Sequence, residues 1–534
     1  MFADIVFCNG SVLTLDSQNT VHEAAVVRNN KIVYVGSNQE ATAYIGRRTR
    51  IVNLHDKSLI PGFIDSHVHS AVMGANSLAI DCRPSAVSSI ADICEAIYER
   101  TKETPEGMWI RGWGYNDQCL MESRHPDKWD LDKVAPNHPV ALTHVCNHIS
   151  CYNSAAIDKA NISEGVAYDE SAFIRRDGEF SGVMLEKAHF YMSKVAMLTN
   201  NEIEDAIIAA NDILIRHGIT SIHDSGGYGP GQFLAFQEAV NNNEFKPRIY
   251  MMIFSFSDNL DLNYHFLGSG IHTGFGNEHI KIGPTKLMID GSSSGSTAAT
   301  FNEYKCRPGY HGILTYSQEF VDDYVMRGHK GRWQVTSHAE GDKGVSMIVG
   351  AIRKAMDKCP IADSRHRVEH CAMINDELLE LISHYGIVPI SSPVFLHDFG
   401  DGYINNYGMA AACRMFTCKS FLDNGIICAG ASNSPIVCVD PLFGIHMAVN
   451  RETKNGQIIN LDERTSPLDA LRMYTYNGAY ASFEEDIKGS IEVGKLADLV
   501  VLSGNYLRTP YDKLKDLNVE MTVIDGRIEY DSYG

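Results

Sequence analysis

Pro61-Gly-Phe-Ile-Asp-Ser-His-Val-His69 is an apolar run that ends in two histidines one residue apart. The Pro-Gly pair breaks the chain just before the run, which then reads as a β-strand. In extended backbone, residues i and i+2 point to one side. His67 and His69 can therefore converge on one metal ion. Two surface or core histidines explain most isolated pairs of this kind, so the surroundings decide. Asp65 is placed either to orient a ligand ring from behind or to accept hydrogen bonds at a strand-end turn.

The run is the first of eight. Within Leu59–His69, Gly218–Ser225, Arg248–Phe254, Thr285–Gly291, Gln334–His338, Arg367–Cys371, Ile387–Ser391 and Ile426–Ser432, β-branched or apolar residues dominate. Helix-like patterns such as Glu202–His217 and Lys343–Lys358 separate most of them. Strand–helix alternation at this count predicts an α/β fold, a (β/α)8 TIM barrel, in preference to an open doubly wound sheet. Barrel active sites form at the carboxyl ends of the strands. His338 closes one run, in Ser337-His-Ala-Glu-Gly-Asp342, and His370 closes the next, in Arg367-Val-Glu-His-Cys371. Four histidines at the same end of three strands are hard to explain as packing.

Two further residues stand out. Lys286 lies inside an apolar strand, where a lysine is costly unless paired or modified. Burial would leave a neutral amine able to react with CO2; a side chain snorkelling to the barrel rim is the simpler reading. The eighth run ends Ala429-Gly-Ala-Ser-Asn-Ser-Pro435. A metal hydrolase needs a base there, usually a carboxylate, and Asn433 cannot titrate.

The ends and the middle differ in pattern. Strands around Asn and Gly turns, with Asn29-Asn30 as a hairpin turn, fill both termini. They predict a composite β-sandwich from 1–58 and 488–534, enclosing the barrel at 59–75 and 206–487. About 150 residues separate the first two runs, more than a crossover needs. Residues 76–205 are therefore expected to form an inserted α+β subdomain capping the active site. Its Trp109, Trp113, Tyr115, Trp129 and Tyr152 can form an aromatic lid or simply that subdomain's core. His397 and Arg414, beyond the seventh run, are candidates for a polar group of the substrate or solvated loop residues.

The chain has 534 residues, 44% hydrophobic and 21% charged, with net charge −20. An acidic surface argues against nucleic acid and against anionic membranes. The start of the chain shows no export signal and no window is apolar enough to span a bilayer. Thirteen cysteines form no CxxC pair, which fits reduced thiols in a cytoplasmic enzyme. A homodimer is compatible with a barrel of this size, and no residue decides it.

Together these segments resemble amidohydrolase family 3, in the branch of N-substituted formamide deformylase-like metal-dependent hydrolases. The likeness covers Pro61–His69, Trp113-Gly, Leu131-Asp-Lys-Val-Ala-Pro136, His148 with Asn153-Ser-Ala-Ala156, Gly218–Asp224, Lys286 with Asp290-Gly-Ser, His338-Ala-x-Gly-Asp342, Glu369-His370 and Gly494-Lys-Leu-Ala-Asp-Leu-Val500. The resemblance implies one or two divalent ions, zinc above all. It implies His67 and His69 as ligands of one ion, His338 and His370 as ligands of the second, and a carboxylated Lys286 bridging them. It matches His148 to a histidine that reaches the substrate region, as a catalytic or substrate-binding residue, with loop packing as the alternative. Trp113 and Tyr115 are substrate-binding candidates as members of the aromatic lid. The family's last strand ends Ser-Asp-x-Pro, its aspartate binding metal and taking a proton from water. Here Asn433 holds that catalytic and metal-binding position, and an amide cannot be the base. Three readings stay open: an Asp-to-Asn variant arrested in turnover, a different base, or a binding protein that has lost hydrolysis. The implied activity is hydrolysis of a C–N bond (amide, formamide, lactam or amidine-like) in a small molecule. The alternatives are ligand binding without turnover, or a metal-dependent isomerase or lyase.

Overall fold

A computed structural model describes residues 2–145, 149–160, 172–256 and 260–533. The chain divides into two compact units, residues 1–70 with 211–534, and residues 71–210.

In the first unit eight parallel strands form a barrel. They are β1 (Phe63–Val68), β2 (Ile219–Asp224), β3 (Arg248–Ile253), β4 (Ile280–Met288), β5 (Val335–Ala339), β6 (Arg367–His370), β7 (Val388–Ser391) and β8 (Ala429–Gly430), paired in that order. The seam between the last strand and the first is closed by single bonds. The Asn433 N–H donates to the His67 carbonyl at 2.7 Å, and the His69 N–H to the Ser434 carbonyl at 2.9 Å. Asp65 clasps the same seam. It accepts from the backbone N–H groups of His67 (3.2 Å) and Ser432 (3.0 Å) and from the Ser432 hydroxyl (2.5 Å).

Helices cover the barrel in the way their sequence dictates. Asp342–Lys358 buries Val345, Ile348, Val349, Ile352 and Ala355, the i, i+3, i+4, i+7 stripe of an amphipathic helix. The eighth strand is much shorter than the run 426–432. Left-handed backbone at Asn433 (φ 58°) turns the chain inward soon after Gly430.

The run 59–69 holds two strands rather than one. Ser58–Pro61 belongs to a six-stranded sheet with Arg527–Asp531, Val519–Ile524, Leu499–Leu502, Ser11–Leu13 and Val21–His22. After Gly62 the chain enters the barrel. A Cβ at Gly62 would meet the Thr220 hydroxyl at 2.1 Å, so only glycine fits this crossing. A second sheet of Lys31–Gly36, Ala24–Arg28, Ile5–Cys8 and Arg50–Asn53 completes the terminal domain. Ile5, Phe7, Val27, Leu59, Leu499 and Val523 from both chain ends share its core. Arg28 pairs with Lys31 across the Asn29-Asn30 turn.

The second unit is built on a six-stranded mixed sheet in the order Phe173–Arg176, Glu179–Leu185, Ile149–Tyr152, Val140–His144, Ile110–Tyr115, Ile80–Asp81. The helix Ile90–Thr101 packs Ile90, Ile93 and Ile97 into its core. Among the described residues no helix is long and apolar enough to cross a membrane.

Candidate metal centre

The carboxyl end of the barrel gathers His67, Lys286, His338, His370 and Asn433, all buried, and the partly buried His69. The ring centroids of His67 and His69 lie 5.5 Å apart, those of His67 and His370 4.8 Å, and those of His338 and His370 4.8 Å. Three of the rings are held by one nitrogen each. His67 Nδ1 donates to Glu369 Oε2 at 2.5 Å, His69 Nδ1 to the Gly226 carbonyl at 2.8 Å, and His338 Nε2 to the Gly291 carbonyl at 3.1 Å. Such bonds assign the tautomer from the acceptor's chemistry and leave the other nitrogen with a lone pair. His370 Nδ1 is buried with no hydrogen-bond partner. An orphan nitrogen in this position is costly in a dry site and natural beside a cation.

Electrostatics favour neutral rings. Burial pushes His69 down to about 3, and the nearby Lys286 adds to the effect. Burial also drives His67 and His370 well below the ordinary range, helped by Lys286 at His67 and by His338 at His370. The 2.5 Å contact of His67 with Glu369 is therefore a hydrogen bond from a neutral ring to a carboxylate, not an ion pair. Lys286 is 2% exposed, and burial lowers it to about 8 against the pull of Glu369 and Asp224. Its Nζ lies 3.4 Å from His67 Nε2 and 4.9 Å from the Phe254 ring centre. Neutral imidazoles with free lone pairs beside a readily deprotonated amine suit a divalent cation.

Behind this layer is a buried network. Arg367 Nε donates to Glu369 Oε1 at 2.9 Å and its Nη2 to Oε2 at 3.1 Å and to the Ser66 carbonyl at 2.7 Å; the Thr336 hydroxyl reaches Oε1 at 2.6 Å. Glu369, not Asp65, orients the His67 ring. Only its place beside His370 hinted at this, because alternation turns neighbours on a strand to opposite faces. Asp290 and Glu340 also reach the cluster, each 3.8 Å from His338 Nε2. Burial raises Asp290 to about 6.

The remaining candidates are placed as follows. Arg414 binds the Ile374 carbonyl (3.1 Å) and Asp376 (2.6 Å), with a half-exposed side chain. His397 is paired with Asp398 at 2.7 Å and packs on Phe443. Both thus carry surface partners. Tyr115 is fully buried in the core of the second unit, its hydroxyl 3.1 Å from His125 Nδ1. Trp113, in the same strand, carries Arg83 over its ring at 5.7 Å. His148 lies outside the described residues. Phe256 and Phe395 stand 5.5 Å from His69 and 5.9 Å from His370 and were not anticipated.

Comparison with known proteins matches residues 50–530 to the amidohydrolase family. YtcJ of Bacillus subtilis is 28% identical over 98% of this chain and 99% of its own. N-substituted formamide deformylase of Arthrobacter pascens is 25% identical over 99% of each chain. A solved structure, an uncharacterized metal-dependent hydrolase from Pyrococcus furiosus, superposes with TM-score 0.79 at 25% identity, over 94% of this chain and all of that one. With nearly its whole length matched and the barrel in place, this chain belongs to the amidohydrolase family.

Proposed function

We propose that this chain is a metal-dependent hydrolase that cleaves a C–N bond of a small molecule. The observation that carries the reading is the convergence of four histidines, three of them held neutral by burial, and Lys286 at the carboxyl end of the barrel, with His370 Nδ1 unpartnered. His67 and His69 would hold one ion and His338 and His370 a second, with a carbamate on Lys286 between them. Nitrogen donors with a carboxylate-like bridge suit zinc. A bound ion supplies a Lewis acid that polarises the electrophile and acidifies water.

The chain's own residues set the rest. Glu369 keeps the His67 proton on Nδ1. Phe254, Phe256 and Phe395 give the site apolar walls that favour a substrate with an apolar body. The formamide activity in the name of the Arthrobacter relative makes formamides the first class to try, followed by amides, lactams and amidines. Asn433 limits turnover, since its amide oxygen can accept a hydrogen bond but its nitrogen cannot take a proton.

The test is turnover by the zinc-loaded full chain and its Asn433→Asp variant on that panel. The variant is expected to hydrolyse at least one member roughly 10²- to 10⁴-fold faster, the usual contribution of a general base. Asn433 also favours a second reading, ligand binding without turnover. That reading stands if both forms bind zinc and panel compounds and neither hydrolyses any.

A further inference from the structure

Asn433 removes a carboxylate from the end of β8, and a different carboxylate stands at the end of β5. In the pattern His-Ala-x-Gly-Asp, which the resemblance leaves open at its third place, this chain has Glu340. Five carboxylates are buried around the histidines, and four of them have both oxygens engaged. Asp65 is taken up by His67 and Ser432. Asp224 is taken up by Ser70, Gly226 and Gln232, and Asp290 by the N–H groups of Ala299, Glu340 and Gly341. Glu369 is held by Arg367, Thr336 and His67.

Glu340 differs. Its Oε2 accepts the Ser293 N–H at 2.7 Å and the Ser293 hydroxyl. Its Oε1 accepts from no donor among the described residues and lies 3.8 Å from His338 Nε2. Glu340 is only 1% exposed, so a carboxylate oxygen without a protein donor has little water to turn to and is well placed to face a cation. One ligand atom from each of His338, Glu340 and His370 fits within 4.8 Å, the span of a single coordination sphere. Two imidazoles and one carboxylate are an ordinary zinc ligand set.

We infer that Glu340 is the anionic ligand of the His338–His370 ion, standing in for the carboxylate that position 433 lacks. Glu340 Oε1 provides the charge while Oε2 stays anchored to Ser293. Ion binding and proton transfer are thereby separated in this chain: Glu340 serves the first, and Asn433 leaves the second unserved. The inference rests on the metal-centre reading of the proposed function.

The test is zinc titration of the chelator-treated full chain by calorimetry, with cobalt(II) absorption reporting the ligand set. Glu340→Gln keeps an acceptor for Ser293 and removes the charge. It is expected to lose at least tenfold in affinity for one of two equivalents and to alter the cobalt spectrum. Adding Asn433→Asp to Glu340→Gln should recover that affinity to within about threefold, since a carboxylate ligand is then restored from β8. Ser293→Ala removes the hydroxyl bond to Oε2, leaves the backbone N–H bond and should bind zinc like the parent chain. Equal affinities in parent and Glu340→Gln, a loss in Ser293→Ala as large as in Glu340→Gln, or no recovery in the double variant would each overturn the inference. A parent chain that binds no zinc at all would instead remove the metal centre itself, so the two failures are distinguishable.

Discussion

At the residue scale, the histidines owe their chemistry to what stands behind them. Glu369 faces three donors, and replacing it by glutamine removes the charge while keeping the shape. Glu369→Gln is expected to weaken zinc binding about 10- to 100-fold, the usual effect of losing a ligand's partner, measured by competition with a chromophoric chelator. The same residues set a pH dependence. His69 and His366 are lowered to about 3, and His67, His223 and His370 lie well below the ordinary value, all chiefly through burial. Between pH 6.5 and 3 the unfolded chain binds protons that the folded chain refuses, so stability falls as pH falls. Asp65 and Asp290, raised to about 6 by burial, and Asp224, Asp342 and Asp440, also raised by burial, act oppositely, but the lowered histidines, with His125, His144 and His446 among them, outnumber them. Urea midpoints of the metal-free chain should therefore be lower at pH 5 than at pH 7, by roughly 1.4 kcal/mol per pH unit for each uncompensated histidine. The convergence of the four histidines was legible in the sequence because each stands at the end of a strand run. The partnership of Glu369 with His67 was not, since it joins strands 302 residues apart. Nor was the use of Asp65 as a seam clasp, because a strand-end aspartate serves either role equally well.

At the element scale, one segment ties the terminal domain to the barrel. Asp498, in the Gly494–Val500 motif, receives Arg248 Nε at 2.7 Å and Nη2 at 3.1 Å, and its carbonyl accepts the Gly62 N–H at 2.8 Å. Arg248 opens β3 and is almost fully buried. Arg248 Nη2 keeps Asp525 at 3.1 Å, so removing Asp498 takes away the main partner of the buried guanidinium without leaving it unpaired. Asp498→Ala should therefore cost about 3 kcal/mol, the low end for a broken buried pair, in chemical denaturation. An effect below about 1 kcal/mol, the size of an exposed pair, would contradict this account. The motif is thus an anchor, which explains its position far from the histidines. The eight runs located the strands well, but three boundaries moved. The fourth strand spans Ile280–Met288, beginning well before the run 285–291. The first run spans two sheets joined at Gly62, a crossing set by contact with Thr220 and invisible to periodicity. The eighth strand keeps only Ala429–Gly430 of the run 426–432, a shortening that no hydrophobic pattern reports.

At the scale of the whole molecule, the barrel and the terminal domain were legible because both rest on repetition: eight alternating runs, and strand patterns at both ends. The segment expected at 76–205 emerges as a unit of its own over 71–210, with Tyr115 and Leu142 in its core. Function was less legible. Sequence shows which side chains reach strand ends, but not which oxygens are left without donors once the chain folds, and that distinction singles out Glu340. The barrel thus presents three imidazoles fixed by carbonyl or carboxylate acceptors on one nitrogen, and a fourth, His370, whose Nδ1 has no hydrogen-bond partner. The most direct measurement is zinc retained by the full chain after loading and dialysis, compared with a His67→Asn/His69→Asn variant of equal helicity. The account expects one or two equivalents in the parent chain and a loss of at least one in the variant; no retention by the parent, or equal retention by both, would contradict it.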